Sequence, residues 1–520
     1  MNDSFPLLSM CLVWPIFGAL ALIFVRDRYL AKCVALLVAG SELLLSIFVL
    51  AGFESDREGF QLLEDHPWIP NLNIHYQLGV DGISILFLPM TALVTLMTVL
   101  AGWNTVQRLS RFYLALILVL ESVTIGVFTA LDMVLFFLFW ELTLPPLFFL
   151  IGLWGIGAER RHAGMKYTLF MLFGGVPLLF GIILLAINHA EYVGGSIHQD
   201  LAFSLPLLLA TPVAHDLQPV IFLLLVLGFA VKAPLVPFHT WLPSVAMEAP
   251  TQIGALLLAL KLGVYGIVRF AIPLTPAAAV EHHWLLTIVG AVTLIYGALI
   301  ALRQSNLRSL LAYSSISHVG LVMMGIAGLN QQGIQGAIMQ LFNFTIVASS
   351  LMLMAGMIQQ RLDSTDWIHL GGLARPMPRL TALFFLFALS SMGVPGTNGF
   401  PAELLLLLGA FKANSALAMV ALFTAVLAAA YMLGFIKRAF FGPLVRDAVI
   451  RAQDLRSREL LLLMLPAVLV LVLGLYPQWT MSRQEPTLRA WLQRLDQAAM
   501  PFTDSPSKVI EKPSDSGEVK

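Results

Sequence analysis

The chain has 520 residues, 58% of them hydrophobic and 12% charged, with a formal net charge of zero. A mean hydropathy of +0.85 excludes a soluble globular protein of this size, and the balanced charge argues against a nucleic-acid partner. The only cysteines, Cys11 and Cys33, make no CxxC, CxxCH or cluster-type spacing, which argues against haem-c and iron–sulfur sites.

Apolar runs of about 20 residues, long enough as helices to cross ~30 Å of hydrocarbon, recur along nearly the whole chain. The short alternating segments of a β-barrel are absent. The first run, SFPLLSMCLVWPIFGALALIFV, lacks a basic leader and a small-residue cleavage site and reads as a retained helix, not a signal peptide. Fourteen spans are expected, at 6–26, 30–52, 80–103, 111–130, 132–154, 164–188, 218–238, 247–272, 283–303, 308–328, 332–359, 378–412, 416–438 and 459–482. The predicted fold is therefore an all-α polytopic membrane protein of about 14 transmembrane helices. Residues 53–79 read as a long, mostly acidic outer loop. Residues 485–499 (EPTLRAWLQRLDQAA) read as an amphipathic surface helix with Pro501 as its stop, and the tail SPSKVIEKPSDSGEVK as disordered.

Lys and Arg mark every second loop: Arg26, Arg28 and Lys32; Arg108 and Arg111; Arg160, Arg161 and Lys166; Arg303 and Arg308; Arg361, Arg375 and Arg379; and six between Lys437 and Arg458. By the positive-inside rule these loops are cytoplasmic and both termini lie on the outer side. Residues 239–250, which should be inside, contain no basic residue and break the pattern once.

Two spans carry proline and glycine in mid-run: FAVKAPLVPFHTWLP (229–243) in helix 7 and SSMGVPGTNGFPAELLLL (390–407) in helix 12. Backbone freed at membrane depth is tolerated only where protein or water satisfies it. A matched pair of interrupted helices points to an internal repeat around an ion path. Helices 7 and 12 lie five apart, so helices 4–8 and 9–13 are candidate repeats, and an odd number makes the second copy inverted. The expected divisions are 1–110 (helices 1–3 with the outer loop), 111–272 (first repeat), 283–438 (second repeat), 439–482 (cytoplasmic loop and last span) and 483–520 (surface helix and tail).

Five ionisable residues are expected within the spans: Glu141, Lys232, Lys261, His318 and Glu403. Each costs about 2.5–3.5 kcal/mol at a helix centre on insertion scales, a cost membrane chains accept chiefly for function. Carboxylate and lysine suit proton transfer because burial and pairing pull their proton affinities in opposite directions. Structural readings compete. A glutamate at an interface caps or snorkels, but Glu141 sits about nine residues into its span, in FFLFWELTLPP (136–146), where Pro145 and Pro146 would kink the helix and loosen carbonyls for water. Snorkelling from Lys261 in mid-span is awkward. His318, among serines, could be a hydrogen-bonded core histidine. His239 is balanced between site and loop anchor, and Glu248 reads as a cap. Phe136, Phe137, Phe139 and Trp140 read as packing residues.

FLFWELTLPPLFFLIGLWG, VKAPLVPFHTWLP, EAPTQIGALLLALKLGVYGIVRF, LLAYSSISHVG and GVPGTNGFPAE, in this order, resemble the antiporter-like membrane subunits of respiratory complex I, and so does WIPNLNIHYQLGVDGIS at 68–84. The resemblance covers nearly the whole chain except the polar tail. It implies a fourteen-helix fold with two inverted five-helix repeats and a proton path driven by quinone chemistry elsewhere in the assembly. The family's helix 5 glutamate falls on Glu141, its helix 7 lysine on Lys232, its helix 8 lysine on Lys261 and its helix 10 histidine on His318. On helix 12 the family carries lysine in most branches and glutamate in the M-type branch; Glu403 places this chain nearest the latter. The implied roles are Glu141 and Lys232 as coupling pair, Lys261 and His318 as central relay, and Glu403 as exit.

The chain departs from the family at four positions. Phe344 and Thr345 stand where helix 11 usually carries histidine and glycine, and Ser244 and Ala246 replace an acid and a histidine after helix 7. Phenylalanine cannot relay a proton, so the expectation is a gap between His318 and Glu403 bridged by waters on Asn343 and Thr345. The resemblance implies no cofactor on this chain. NADH, FMN, iron–sulfur clusters and quinone are expected in partner subunits, with L-like and N-like neighbours in a bacterial inner membrane. Alternatives are a subunit of a multi-subunit Na⁺/H⁺ antiporter or of an energy-coupled inorganic-carbon uptake complex, and a membrane scaffold with no transport role.

Overall fold

The computed structural model describes residues 5–195 and 200–499. The expected tail and Pro501 lie outside that range. Among the described residues, eleven helices are long and apolar enough to cross a membrane and three more are apolar but shorter. One of these fourteen lies within or across each expected span. In chain order they are α1 (Leu7–Phe24), α2 (Arg28–Ala51), α3 (Phe87–Gly102), α4 (Ser110–Thr129), α5 (Met133–Trp154), α6 (Arg160–Tyr192), α7 (Gln218–Lys232), α8 (Thr251–Leu274), α9 (His283–Leu302), α10 (Leu307–Ala327), α11 (Gln331–Leu362), α12 (Pro378–Ser391), α13 (Ala418–Ala439) and α14 (Ser457–Leu475). Short helices at Trp241–Glu248 and Gly399–Ala413 continue α7 and α12 beyond their breaks.

Burial sorts these helices into a centre and a rim. In α10 and α11, 94% of the most apolar window is buried, and in α8 89%, against 33% in α2 and 39% in α13 and α14. The rim exposes large apolar side chains, among them Leu169, Leu172, Phe173 and Val176 on α6. That is the reverse of a soluble protein and what hydrocarbon solvent permits. Lys261 and His318 therefore sit on the most enclosed helices of the molecule.

Residues 53–79 are not a plain loop. They fold into an antiparallel hairpin of β1 (Gln61–Ile69) and β2 (Ile74–Val80), turning through Asn73 at a φ of 52°. Strand periodicity is weak here because only one end of the ribbon is buried, so hydropathy alone missed it. The hairpin anchors three elements. The Glu64 carboxylate accepts from the Leu8 and Ser9 amides at the start of α1, satisfying donors that a helix N-terminus leaves open. The Gln77 carbonyl accepts from the Leu131 amide at 2.9 Å, and the His75 amide donates to Asp132. Asp132 in turn caps α5 by accepting from the Val134 and Leu135 amides. The hairpin thus sets the position of α5, the helix that carries Glu141.

The C-terminal amphipathic helix is present as α15 (Gln478–Ala499), but its apolar face is buried in protein. Leu488, Trp491 and Leu495 are buried, the Trp491 indole donates to the Val268 carbonyl at 3.1 Å, and Gln335 on α11 donates to the Met481 carbonyl at 3.2 Å. The helix thereby joins α8 to α11. Amphipathicity does not distinguish a lipid surface from a protein one.

Candidate functional site

Four helices are interrupted, and each interruption holds one of the five expected ionisable residues or its partner. Proline explains most of them, because it lacks the N–H that the carbonyl four residues earlier needs.

α5 breaks at Thr143, just before Pro145 and Pro146. The Trp140 carbonyl, at the end of the first half, accepts the Lys232 ammonium at 2.9 Å, and Thr143 Oγ1 accepts it at 3.0 Å. The ammonium also lies 3.8 Å from the centroid of the Trp140 ring, a cation–π contact. The kink after Glu141 therefore presents the Trp140 carbonyl to a lysine. Lys232 is the last residue of α7, which stops before Pro234 and Pro237; a cation there suits the negative end of the helix dipole.

Glu141 and Lys232 do not form an ion pair within 4.0 Å, although they lie close enough to interact electrostatically. Glu141 Oε1 is buried without a hydrogen-bond partner among the described residues and rests against Gly175 of α6, where a Cβ would collide with it. The arrangement is a separated pair in which the lysine is held by neutral acceptors and the carboxylate is held by none.

Lys261 sits at a break the sequence does not announce. α8 leaves helical geometry at Leu260 (φ −92°, ψ 100°) and resumes at Leu262. Gly263 packs so closely on the Phe229 carbonyl and Ala233 nitrogen that a Cβ would not fit, which brings this break against the break in α7. A cavity of about 40 Å³ lies between them, lined by Lys232, Thr143, Tyr167, Leu260 and Leu262. The Lys261 ammonium is buried with no hydrogen-bond partner among the described residues. Thr345, where the family has glycine, donates to the Ala259 carbonyl at 3.4 Å, beside the break.

On the far side, the His318 ring on α10 joins the broken α12. Its Nδ1 lies 2.8 Å from the Ser314 carbonyl, its Nε2 3.0 Å from the Ser391 carbonyl, and the same Nε2 3.6 Å from Glu403 Oε1. The Ser391 carbonyl is free because Pro395 stands four residues on. Gly393, at φ +65°, rests on the Glu403 carboxylate, where a Cβ would collide. Gly393→Ala therefore meets both a left-handed backbone and the carboxylate; it should lower stability by more than about 1 kcal/mol, measured as a fall in thermal midpoint of the detergent-solubilised protein.

The expected gap is in a different place. His318 reaches Glu403 directly, and Phe344 stands between Lys261 and His318. The Lys261 ammonium is 5.4 Å from the Phe344 ring centroid, and the His318 and Phe344 rings meet edge-on at 6.2 Å. Asn343, which lines the cavity beside Phe344, also holds the break in α12. Its Nδ2 donates to the Asn398 carbonyl at 2.9 Å, and its Oδ1 accepts from Asn398 Nδ2 at 2.6 Å, which pins the break in α12. A cavity of about 40 Å³ flanks Phe344, with Ser314, Ser315, Gln340 and Ser390 on its wall. A cavity needs roughly 10–15 Å³ to hold one water, so this one has room for two or three beside the ring, with those polar groups on its wall for them to bond. The helix turns at Phe344–Ala348 on α11 and Ile267–Ala271 on α8 are π-turns, which recur at functional sites.

Of the other substitutions, Ser244 accepts a hydrogen bond from Lys166 at 3.2 Å, and the Ala246 carbonyl accepts from Arg308 at 2.8 Å. Glu248 accepts from the Glu159 amide at 2.9 Å, at the residue that precedes α6. His239 packs on Tyr296, ring centroids 4.8 Å apart.

Sequence reasoning missed further buried charges, among them two glutamates and an arginine–aspartate pair. Glu42 on α2 and Glu121 on α4 have no hydrogen-bond partner for either oxygen among the described residues and interact with each other. Arg269 on α8 pairs with Asp81 ahead of α3. VAGSELLLS, LILVLESVTI and YGIVRF carry the same signal as FLFWEL, a lone charge in an apolar run, and a complete count of such charges finds them.

A family model described as NADH:quinone oxidoreductase/Mrp antiporter, transmembrane, matches residues 130–428. NADH-quinone oxidoreductase subunit M of Rhodobacter capsulatus is 38% identical over 451 residues, 86% of this chain and 87% of that protein. A chain of respiratory complex I from Thermus thermophilus superposes with a TM-score of 0.85 at 29% identity, covering 94% of this chain and 99% of that one. A chain of the Mrp complex from Dietzia superposes at 0.80 with 23% identity over 94% of this chain and 99% of its own, a likeness of fold.

Proposed function

The chain belongs to the NADH:quinone oxidoreductase/Mrp antiporter membrane family, and from that premise we propose that it is a proton-translocating membrane subunit of a complex I-type NADH:quinone oxidoreductase, of the M type. It moves protons through Glu141, Lys232, Lys261, His318 and Glu403 and takes no part in electron transfer. NADH, FMN, iron–sulfur clusters and quinone belong to partner subunits, and L-like and N-like neighbours flank it. It is a multi-pass protein of a bacterial inner membrane with both termini outside.

The observation that carries this reading is the succession of charged side chains at helix breaks. The cavity lined by Lys232 reaches Leu260 and Leu262, the two neighbours of Lys261 at the break in α8, and His318 Nε2 lies 3.6 Å from Glu403. Protonation at one site alters its neighbour's proton affinity through a low-dielectric interior, so charge passes along without covalent chemistry. With Phe344 between them, the step from Lys261 to His318 passes through waters in the small cavity beside its ring.

The test is the assembled complex reconstituted in vesicles, with proton uptake measured against NADH oxidised. Lys261→Met keeps the apolar stem and removes the charge. Proton uptake per NADH should fall while the subunits still co-purify; an unchanged ratio would remove Lys261 from the path.

A further inference from the structure

At the end of α13 the basic residues gather on one wall of a groove. Lys437, Arg438, Arg446 and His369 line it together with Trp367 and Phe441, around a volume of about 420 Å³. The groove is fixed by backbone bonds. The Leu373 amide donates to the Ala439 carbonyl at 3.3 Å and the Ala374 amide to the Phe440 carbonyl at 3.0 Å, tying the loop after α11 to the end of α13.

Three features identify what it fits. First, Lys437, Arg438 and Arg446 make no ion pair and donate no side-chain hydrogen bond to any described residue. No carboxylate is on the lining; Asp447 follows Arg446 in the chain and stands outside it. The carbonyl end of a helix carries roughly half a negative charge, and three formal cations outweigh it. Second, the Arg438 guanidinium stacks over the Trp367 ring at 4.9 Å, which orients its edge as a fork of donors. Third, the groove opens onto a continuous apolar stripe. Met419, Phe423 and Val426 are each 61–62% exposed along α13, and Phe441 is 61% and Val445 77% exposed at the groove itself. A headgroup-sized basic pocket at the end of an apolar stripe as long as a helix matches an amphiphile, not a free ion.

We propose that this groove binds the phosphate of an anionic phospholipid, with Lys437, Arg438 and Arg446 as its cationic partners and its acyl chains lying along α13. The positive-inside pattern puts the groove at the cytoplasmic leaflet, where juxtamembrane cations meet anionic lipid.

The complex containing the full chain, delipidated in mild detergent, is titrated with phosphatidylglycerol and with phosphatidylethanolamine, and bound lipid is counted by native mass spectrometry. In K437Q/R438Q/R446Q, phosphatidylglycerol binding at this site should weaken about fivefold per charge, on the order of 100-fold in all, with phosphatidylethanolamine binding unchanged. K437Q alone should show the single-charge loss if the triple variant fails to assemble. R26Q/R28Q, in another basic loop, should change neither. Unchanged phosphatidylglycerol binding overturns the proposal. So does displacement of the lipid by inorganic phosphate at equal concentration, which would mark a free-anion site. Loss of a protein subunit from the triple variant with lipid retained overturns it too, since the groove would then be a protein interface.

Discussion

Glu141→Gln should stop proton movement through this chain while leaving the complex assembled. The amide keeps the volume against Gly175, so the packing of α5 on α6 is preserved. What it loses is the ability to hold and release a proton. Proton transfer by a positioned side chain contributes on the order of 100-fold or more to a step, and the rate through this path should drop by that order. Proton uptake per NADH in reconstituted vesicles then falls to what other subunits supply. The separated geometry adds a second expectation. Because Lys232 is held by the Trp140 carbonyl and Thr143, Glu141→Gln does not strand it, and the thermal midpoint should move little. A variant that assembles and pumps with the wild-type ratio would show that Glu141 is a packing residue.

Arg269→Ala should have the largest effect on stability. Arg269 and Asp81 form a buried ion pair, with 5% and 3% of their side chains exposed, joining α8 to the entry of α3. Asp81 also accepts from the Ile83 and Ser84 amides, so its carboxylate organises the turn that starts α3. Removing the arginine leaves a buried carboxylate with no counter-charge, which typically costs 3–5 kcal/mol, roughly 150- to 4,000-fold in the folding equilibrium. The yield of intact complex on a native gel should collapse. Asp81→Asn combined with Arg269→Met removes both charges and keeps the turn's acceptor, and it should recover most of that loss. A double variant as damaged as Arg269→Ala would mean that packing, and not the orphaned charge, is responsible.

The five residues proposed as a relay were legible for a local reason. A lone Glu or Lys in an apolar run is conspicuous because its transfer cost depends on its immediate surroundings, and Glu141 needs no knowledge of the rest of the chain to be noticed. The breaks in α7 and α12 were equally plain, since Pro234, Pro237 and Pro395 remove backbone donors wherever the chain goes. The break at Lys261 was not, because no proline stands there; it accompanies the close approach of Gly263 to Phe229 and Ala233. The hairpin at 61–80 was missed because its burial follows contacts with α1 and α5 and leaves little alternation in the strands themselves.

By itself the sequence determined that the chain is a helical membrane protein, where its spans lie and which of its charges are expensive. These follow from composition and hydropathy summed over about twenty residues, which is the length the bilayer imposes. Only the tertiary structure decided the partners. It put Lys232 on the Trp140 carbonyl and not on the Glu141 carboxylate, joined His318 to Glu403, and moved the gap at Phe344 to the Lys261 side. Those contacts cross 92 residues from Trp140 to Lys232 and link different helices. They are set by how ridges, glycines and broken ends pack together, information that no single span contains.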